Sequence, residues 1–381
     1  MPTDSFQRPG LHPRPLLPGA RMLNIMEASV PNLLRNDRPA DARADRSPEN
    51  AAILALTRLL REVAASGYRF ITPTPLTHQR ILARRARQVA TSWRDVFGWN
   101  LPFSTALLTP SLLASMQAAG VVQQAGPLLR SGVRVASLDD DLFLHSAFPT
   151  TAEDAVFFGP DTYRFVRFIA QALEGAPGAE RSGVQPWLRE PGAPLRILDI
   201  GCGSGAGGIG AARALVRLGI AAERIALVMN DINPQALRFT AINAALAGLP
   251  VQTVGGDALS AVDGQFDLII SNPPYMDDGA QRAYRHGGAR QGRALSVRIA
   301  MQALQRLAPG GRLLLYTGVA MVDEHDPFLE EVTPLLDGAD CEWHYAEIDP
   351  DVFGEELEQP QYAQAERIAA VGLIATRRLR A

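Results

Sequence analysis

Lysine is missing from this sequence: all 37 basic side chains are arginine. That excludes a lysine nucleophile or Schiff base anywhere in the chain. Cysteine is nearly missing, with Cys202 and Cys341 alone. They allow neither a disulfide framework nor a four-thiolate zinc site, and a reducing cytoplasm is the expected setting. No apolar run is long enough to span a bilayer. The first residues hold arginines and prolines but not the continuous apolar stretch of a secretory leader. The expectation is a cytoplasmic protein with no membrane partner. A net charge of −3 provides no global pull on nucleic acid, which leaves only a local basic face for that role. What is abundant is globular: 47% hydrophobic and 20% charged residues suffice for a core, and 381 residues suggest two domains or slightly more.

Residues 1–48 are rich in Pro, Arg and Asp without periodicity and read as an irregular arm. An accessory domain over 49–150 follows. Its stretch Asn50–Ala65 spaces apolar residues at helical intervals. A second helix is predicted from an N-cap at Thr77 through to Phe97. A third covers Pro110–Gly120, with proline in the first turn and glycine at the end. Gly132–Leu138 and Leu142–His145 flank Asp139-Asp140-Asp141, a hairpin signal. Helices followed by a hairpin suggest a mainly helical, winged-helix-like unit. The Gly/Pro-rich stretch 174–194 reads as a connection. From Leu195 onward, short apolar strands alternate with helical segments. That alternation predicts an α/β, doubly wound, Rossmann-like sheet in a domain spanning 151–381.

Within it, the strand Ile197–Ile200 runs into Gly201-Cys202-Gly203-Ser204-Gly205-Ala206. Glycines there let the backbone approach a ligand and the next helix pack closely. Gly201, Gly203 and Ala206 fit the G-x-G-x-x-G/A dinucleotide fingerprint, a weak match alone, and the strand–turn–helix context favours a nucleotide-like ligand over a plain tight turn. Asp199 weighs on that choice. An acid two residues before the first glycine suits an ammonium or sulfonium better than a pyrophosphate. The second strand ends at Asn230-Asp231, thirty residues beyond Gly201, where an acid accepts hydrogen bonds from both ribose hydroxyls. Ile232 adjoins it, and Asn233-Pro234 caps the next helix. The third strand ends at Gly255-Gly256-Asp257, which brings another acid, followed by Ala258, within reach of an adenine amine. Acids at three successive strand ends describe a site for an adenosine with a cationic tail and no phosphate. S-adenosylmethionine is such a molecule.

The fourth strand, Phe266–Ile270, meets Ser271-Asn272-Pro273-Pro274-Tyr275. Two prolines give up their N–H groups and fix φ, so the loop is stiff. Together LDIGCGSG, the ND and GD pairs and SNPPY resemble the motifs of class I S-adenosylmethionine-dependent methyltransferases. More narrowly, they resemble the enzymes acting on planar nitrogens: release-factor glutamine methyltransferases and the amino-methyltransferases of RNA and DNA bases. The resemblance covers about residues 155–380 and implies the class I fold. It also gives the stiff loop a purpose. An amide or exocyclic amine is a poor nucleophile, because its lone pair is delocalised. The Asn272 side-chain oxygen and the Pro273 carbonyl can each accept one N–H of such a target. The prolines hold these acceptors rigid, so orientation supplies much of the rate, and Tyr275 offers a flat face. Gly159-Pro160-Asp161-Thr162 is similar to the Pro-x-Thr stretch that precedes the catalytic domain in the glutamine enzymes, which implies a place for Thr162 in the cofactor pocket.

There are departures from the family pattern. The glutamine enzymes carry a shorter N-terminal domain, and tend to have an acid where this chain has Tyr316-Thr317. Ile348–Gly354 matches none of their motifs. The acceptor stays open between a protein glutamine, which leads, a nucleic-acid base and a small molecule of secondary metabolism. The nucleic-acid reading rests on the helix 77–97, where Arg80, Arg84, Arg85, Arg87 and Arg94 cluster; the plainer reading is a solvated face. A duplex base would have to flip out to reach Tyr275. His286, close behind the motif, either touches substrate or, as the leading reading, is a solvated loop residue. Arg285, Arg290 and Arg293 either bind an acidic substrate or are solvated. A different reaction, at another carbon of the sulfonium, keeps the same cofactor site. The non-enzymatic alternative is a nucleic-acid-binding module with a degenerate methyltransferase fold, against which the intact Asn272 and aspartates speak.

Overall fold

The computed structural model describes residues 48–174, 194–278 and 284–379. Most of the arm (1–47) and of the Gly/Pro-rich connection (175–193) lie outside the described residues. The accessory half holds α1 (Pro48–Ala65), α2 (Pro75–Ala83), α3 (Trp93–Phe97) and α4 (Pro110–Ala118). Two hairpins follow: β1 (Val122–Ala125) with β2 (Leu128–Ser131), and β3 (Val133–Leu138) with β4 (Asp141–Ser146). The second hairpin is the one expected around Asp139-Asp140. The first was not anticipated, and turns through Gly126-Pro127.

The single helix predicted over 77–97 is instead two short ones. Thr74 rather than Thr77 caps α2: its hydroxyl accepts the Thr77 N–H at 3.2 Å, and Pro75 takes the first turn. Gln88 Nε2 then donates to the Leu82 carbonyl at 2.7 Å at the end of α2. Asp95 accepts from the Thr91 N–H and the Ser92 hydroxyl and pairs with Arg85 at 2.7 Å. Ser92 thereby starts α3 afresh. Local polar bonds win over helix propensity here, and the arginines do not share one helical face.

Beyond α5 (Pro160–Glu174) the alternation appears as expected. It runs β5 (Leu195–Ile200), α6 (Ala206–Arg217), β6 (Ile225–Asp231), α7 (Pro234–Ala247), β7 (Val251–Gly255) and β8 (Phe266–Ser271). Then come α8 (Ala294–Arg306), β9 (Leu307–Met321), α9 (Pro327–Asp337), β10 (Cys341–Asp349) and β11 (Arg367–Arg377). The seven strands lie in the order β10-β11-β9-β8-β5-β6-β7, with β11 antiparallel to both its neighbours. Period-two alternation feeds two cores. Ile197 packs with Phe165 and Ile209 from α5 and α6, while Leu198 and Ile200 pack with Ile299 and Phe328 from α8 and α9. Each such buried aliphatic side chain contributes about 1.5–3 kcal/mol. Strand order reverses between β5 and β8, so the loops at their carboxyl ends diverge and leave a crevice. The glycine loop leaves β5 and the Asn-Pro-Pro-Tyr loop leaves β8, and the topology makes them neighbours.

The accessory half is fixed to this domain through α7. Phe239 and Ile242 pack in one core with Leu59, Phe97 and Leu112. Asn243 pairs with the β4 backbone: its Oδ1 accepts the Leu144 N–H at 2.8 Å, and its Nδ2 donates to the Leu144 and Ser204 carbonyls at 3.1 and 2.8 Å. Arg213 of α6 grips Asp141 with two nitrogens at 2.9 and 2.8 Å. One amide thus ties the accessory hairpin directly to the glycine loop. Among the described residues no helix is long and apolar enough to cross a membrane.

Candidate active site

A cavity of about 380 Å³ opens at the strand-order reversal. One wall comes from the ends of β5, β6 and β7. Gly201, Gly203 and Gly205 have φ of 69°, 55° and 81°, the left-handed region that a side chain resists. A Cβ at Gly201 or Gly203 would meet no atom within 4 Å, so these two glycines serve the turn. Close approach matters further along, in a signal the fingerprint did not include. A Cβ at Gly207 would come within 2.6 Å of the Phe165 ring and 2.9 Å of Asp199 Oδ2. Asp199 is buried, and its Oδ2 accepts the Gly208 N–H at 2.8 Å. Burial pushes its carboxyl up to about 7, against the Gly208 hydrogen bond and with help from nearby Asp231. Asp231 holds the loop itself, accepting from the Gly203 and Asn233 N–H groups at 2.9 Å each.

Asn230 belongs to this wall too, although only its neighbour was singled out in the sequence. Its Nδ2 donates to the Val254 and Gly256 carbonyls at 3.1 and 3.0 Å, while its buried Oδ1 has no partner. Ile232 lines the mouth and is 64% exposed, an apolar side chain left for a ligand to cover. Ala258 and Thr162 line the cavity. Asp257 does too, but its carboxylate is not free: Arg298 of α8 grips both oxygens at 2.7 and 2.8 Å and holds its pKa below the usual range. Any adenine amine at this edge has to share that acceptor. Burial pushes the Cys202 thiol well up, which removes it as a nucleophile.

The opposite wall of the cavity is the Asn-Pro-Pro-Tyr loop. Asn272, Pro273 and Tyr275 all line the cavity. Asn272 Nδ2 donates to Asp161 Oδ2 at 3.2 Å, and Asn272 Oδ1 is buried without a partner. Asp161, buried in the first turn of α5, also accepts the Tyr316 hydroxyl from β9 at 2.6 Å. Neither Asp161 nor Tyr316 stood out as a site residue in the sequence. Tyr275 is less open than a stacking platform should be. A Cβ at Gly318 would collide with its ring, and Phe353 meets it edge-on at 5.9 Å between centroids. Only part of the ring is left for a substrate. Phe353 comes from the tail that matched no motif, and that tail therefore closes the site.

The loop behind the motif is spoken for. Arg285 pairs with Glu356, and Arg290 and Arg293 both pair with Glu331 at 2.6 and 2.8 Å. These arginines are neither simply solvated nor free for an acidic substrate. His286 is half-buried with its Nδ1 unpartnered and lies outside the cavity lining, so it is not the solvated residue expected. The accessory half contributes a roof of Pro75, Gln79, Phe148, Pro149 and Thr150. Phe148 stacks on His78 at 4.2 Å, and its N–H is held by Asn100 Oδ1 at 3.0 Å. Burial lowers the His78 pKa to about 4, so the platform is a neutral ring. Tyr284 bridges roof and loop, donating to the Thr150 carbonyl at 2.6 Å.

Fold and site together define a Rossmann-like domain of the class I S-adenosylmethionine-dependent methyltransferase type. More particularly, residues 188–321 match the family described as "Methyltransferase small domain". A release factor glutamine methyltransferase of Deinococcus radiodurans is 33% identical over 171 residues, covering 42% of this chain and 55% of that protein. Ribosomal RNA small subunit methyltransferase C of Actinobacillus pleuropneumoniae is 40% identical over 118 residues, 31% of each chain. The chain spans about half the length of the glutamine methyltransferases it matches. A solved structure, Trm5b from Pyrococcus abyssi, is a distant likeness: TM-score 0.41 and 15% identity over 67% of this chain and 62% of that one. S-adenosylmethionine is the cofactor this class carries, and the residues present fit it. The open glycine turn, the acids Asp199 and Asp231 and the orphaned Asn230 Oδ1 offer what a ribose, an ammonium and an adenine edge require.

Proposed function

We propose that this protein is an S-adenosylmethionine-dependent N-methyltransferase acting on a planar NH₂ group, with a protein glutamine side chain as the leading acceptor. The observation that carries this reading is the buried, partnerless Asn272 Oδ1 beside the glycine loop. A buried carbonyl oxygen without a donor costs about 1–3 kcal/mol, so a donor arriving with the substrate accounts for it. The cofactor, when bound, supplies an electrophilic methyl group on a sulfonium. Asp231 would hold its ribose hydroxyls, and Asp199 its cationic end. Asn272 Oδ1 and the Pro273 carbonyl would accept the two N–H bonds of the target, aiming the nitrogen and drawing charge out through its hydrogens. No strong general base is needed. The glutamine assignment draws support from the relatives named for that substrate, and the placing in the cytoplasm from the two buried, unpaired thiols.

A second acceptor class, an RNA base, is favoured by one feature of this chain. Arg80, Arg84 and Arg87 are exposed on and just after α2, whose Pro75 and Gln79 line the cavity. Incubating the protein with cell extract and methyl-labelled S-adenosylmethionine, then sorting label into protein, RNA and small molecules by mass spectrometry, tests the function and separates these acceptors. Label in methylglutamine is the expected result. Label on RNA moves the acceptor to the second class. Absence of label from every fraction, with S-adenosylmethionine and S-adenosylhomocysteine failing to bind in calorimetry, sinks the proposal.

A further inference from the structure

Asn272 has two chemically opposite ends, and a rotation of about 180° about the last side-chain bond exchanges them at little steric cost. With Oδ1 toward the acceptor, the side chain attracts an incoming NH₂. With Nδ2 there, it repels one. Something must choose, and the residues in contact with Asn272 show what. Asp161 Oδ2 lies 3.2 Å from Nδ2. A carboxylate only accepts, so it pairs with the NH₂ end and excludes the carbonyl end. Asp161 is itself held, because Tyr316, buried on β9, donates its hydroxyl to Asp161 Oδ1 at 2.6 Å. Pro160 starts α5 and places Asp161 in its first turn, where the helix end favours a negative charge. Three segments far apart in the chain thus converge on one carboxylate.

We infer that Asp161 is the positioning residue for the acceptor clamp: anchored by Tyr316, it turns Asn272 Nδ2 inward and leaves Oδ1 as the atom that meets the target NH₂. The inference rests on the methyltransferase reading for its chemistry, but the orientation of Asn272 is measurable without any turnover. Asp161→Asn is close to isosteric and reverses the logic. With the oxygen of the introduced amide accepting from Tyr316, its NH₂ faces Asn272 and draws Oδ1 toward itself, which turns Nδ2 outward. Tyr316→Phe leaves the carboxylate but frees it to move. The double variant Asp161→Asn/Asn272→Asp exchanges the two groups, so that a carboxylate at position 272 accepts from the amide at position 161 and still offers an oxygen to the acceptor.

The test uses the full chain labelled with ¹⁵N only in asparagine. The side-chain NH₂ signal of Asn272 is identified by its loss in Asn272→Ala. In the wild type one of its protons should be displaced downfield and exchange slowly with solvent. In Asp161→Asn that signature should vanish while S-adenosylhomocysteine affinity changes less than about twofold. Methyl transfer to the labelled extract fraction should fall about 100-fold in Asp161→Asn, the scale for a positioned polar group at a reacting centre. It should fall about tenfold in Tyr316→Phe, the scale of one buried hydrogen bond. The double variant should recover at least about tenfold over Asp161→Asn, which a merely structural role for Asp161 would not produce. An unchanged Asn272 signal in both Asp161→Asn and Tyr316→Phe overturns the inference, as does an Asp161→Asn variant that transfers methyl at the wild-type rate. If the wild type itself transfers none, the proposed function falls and the Asn272 signal alone decides the orientation.

Discussion

The wall proposed for the cofactor and the wall proposed for the acceptor differ in how their parts are gathered. On the cofactor side each element is a short run at a strand end: Gly201 to Gly208, Asn230 to Asn233, Gly256 to Ala258. Several of the bonds that shape it are made among these runs, as when Asp231 accepts the Gly203 N–H. On the acceptor side only Asn272 to Tyr275 is a run. Its supports come from Phe148, Asp161, Tyr284, Tyr316, Gly318 and Phe353, on segments of both halves of the molecule. A wall built from local backbone turns binds what such turns always offer, namely N–H groups and strand-end acids. A wall built by long-range packing is where one chain can differ from another in the acceptor it admits.

That contrast breaks most sharply at Asn272. Asn272→Ala should lower methyl transfer by about 100-fold or more while leaving S-adenosylmethionine affinity nearly unchanged in calorimetry. Lost cofactor binding in that variant would erase the distinction between the walls. Asp231→Ala is the opposite probe. It removes acceptors from a ribose and frees the Gly203 and Asn233 N–H groups, so binding should weaken by about 1–3 kcal/mol.

Asp199 gives a pH dependence on the cofactor side. Its pKa is raised from 3.8 to about 7 by burial, so the free protein keeps this proton across that interval. The contribution to stability is complete below the lower value and is lost as pH rises through about 7. A bound cation favours the carboxylate, so cofactor affinity should rise with pH by at most about tenfold per unit below about 7 and level off above it. Calorimetry at pH 6 in two buffers of different ionisation enthalpy should register proton release on binding. An affinity independent of pH would show that Asp199 stays ionised. The smallest effect belongs to the roof. Tyr284→Phe removes the bond to the Thr150 carbonyl, worth about 0.5–1.5 kcal/mol, and should raise the acceptor KM without changing cofactor affinity.

Legibility followed the same division. The alternation from Leu195, the glycine turn and the Asn233-Pro234 cap could be read because each is a pattern within a few residues. Asn230 lay inside a recognised pair and Gly207 next to a recognised motif, yet their roles were missed, since these depend on Val254, Phe165 and Asp199 lying across the sheet or under the helix. The helix expected over 77–97 failed for another reason. Side-chain bonds from Gln88, Ser92 and Asp95 to the backbone outcompeted an arginine-rich stretch with no strong apolar period. Asp257 lines the cavity, but its partner Arg298 stands on a helix that no strand-end pattern mentions.

By itself the sequence determined the doubly wound sheet, the kind of cofactor and the stiff Asn-Pro-Pro-Tyr loop at the end of a strand. Strand periodicity, glycine at positive φ and proline stiffness are properties of neighbouring residues, and neighbours are what a sequence lists in order. Only the tertiary structure decided that Arg285, Arg290 and Arg293 are consumed by internal pairs, that the unassigned tail presses Phe353 against Tyr275, and that Tyr316 and Asn272 meet at Asp161. Those contacts join residues tens to hundreds of positions apart. Their existence depends on how α5, β9 and the tail pack on the sheet, a sum of many burial energies that no short stretch contains.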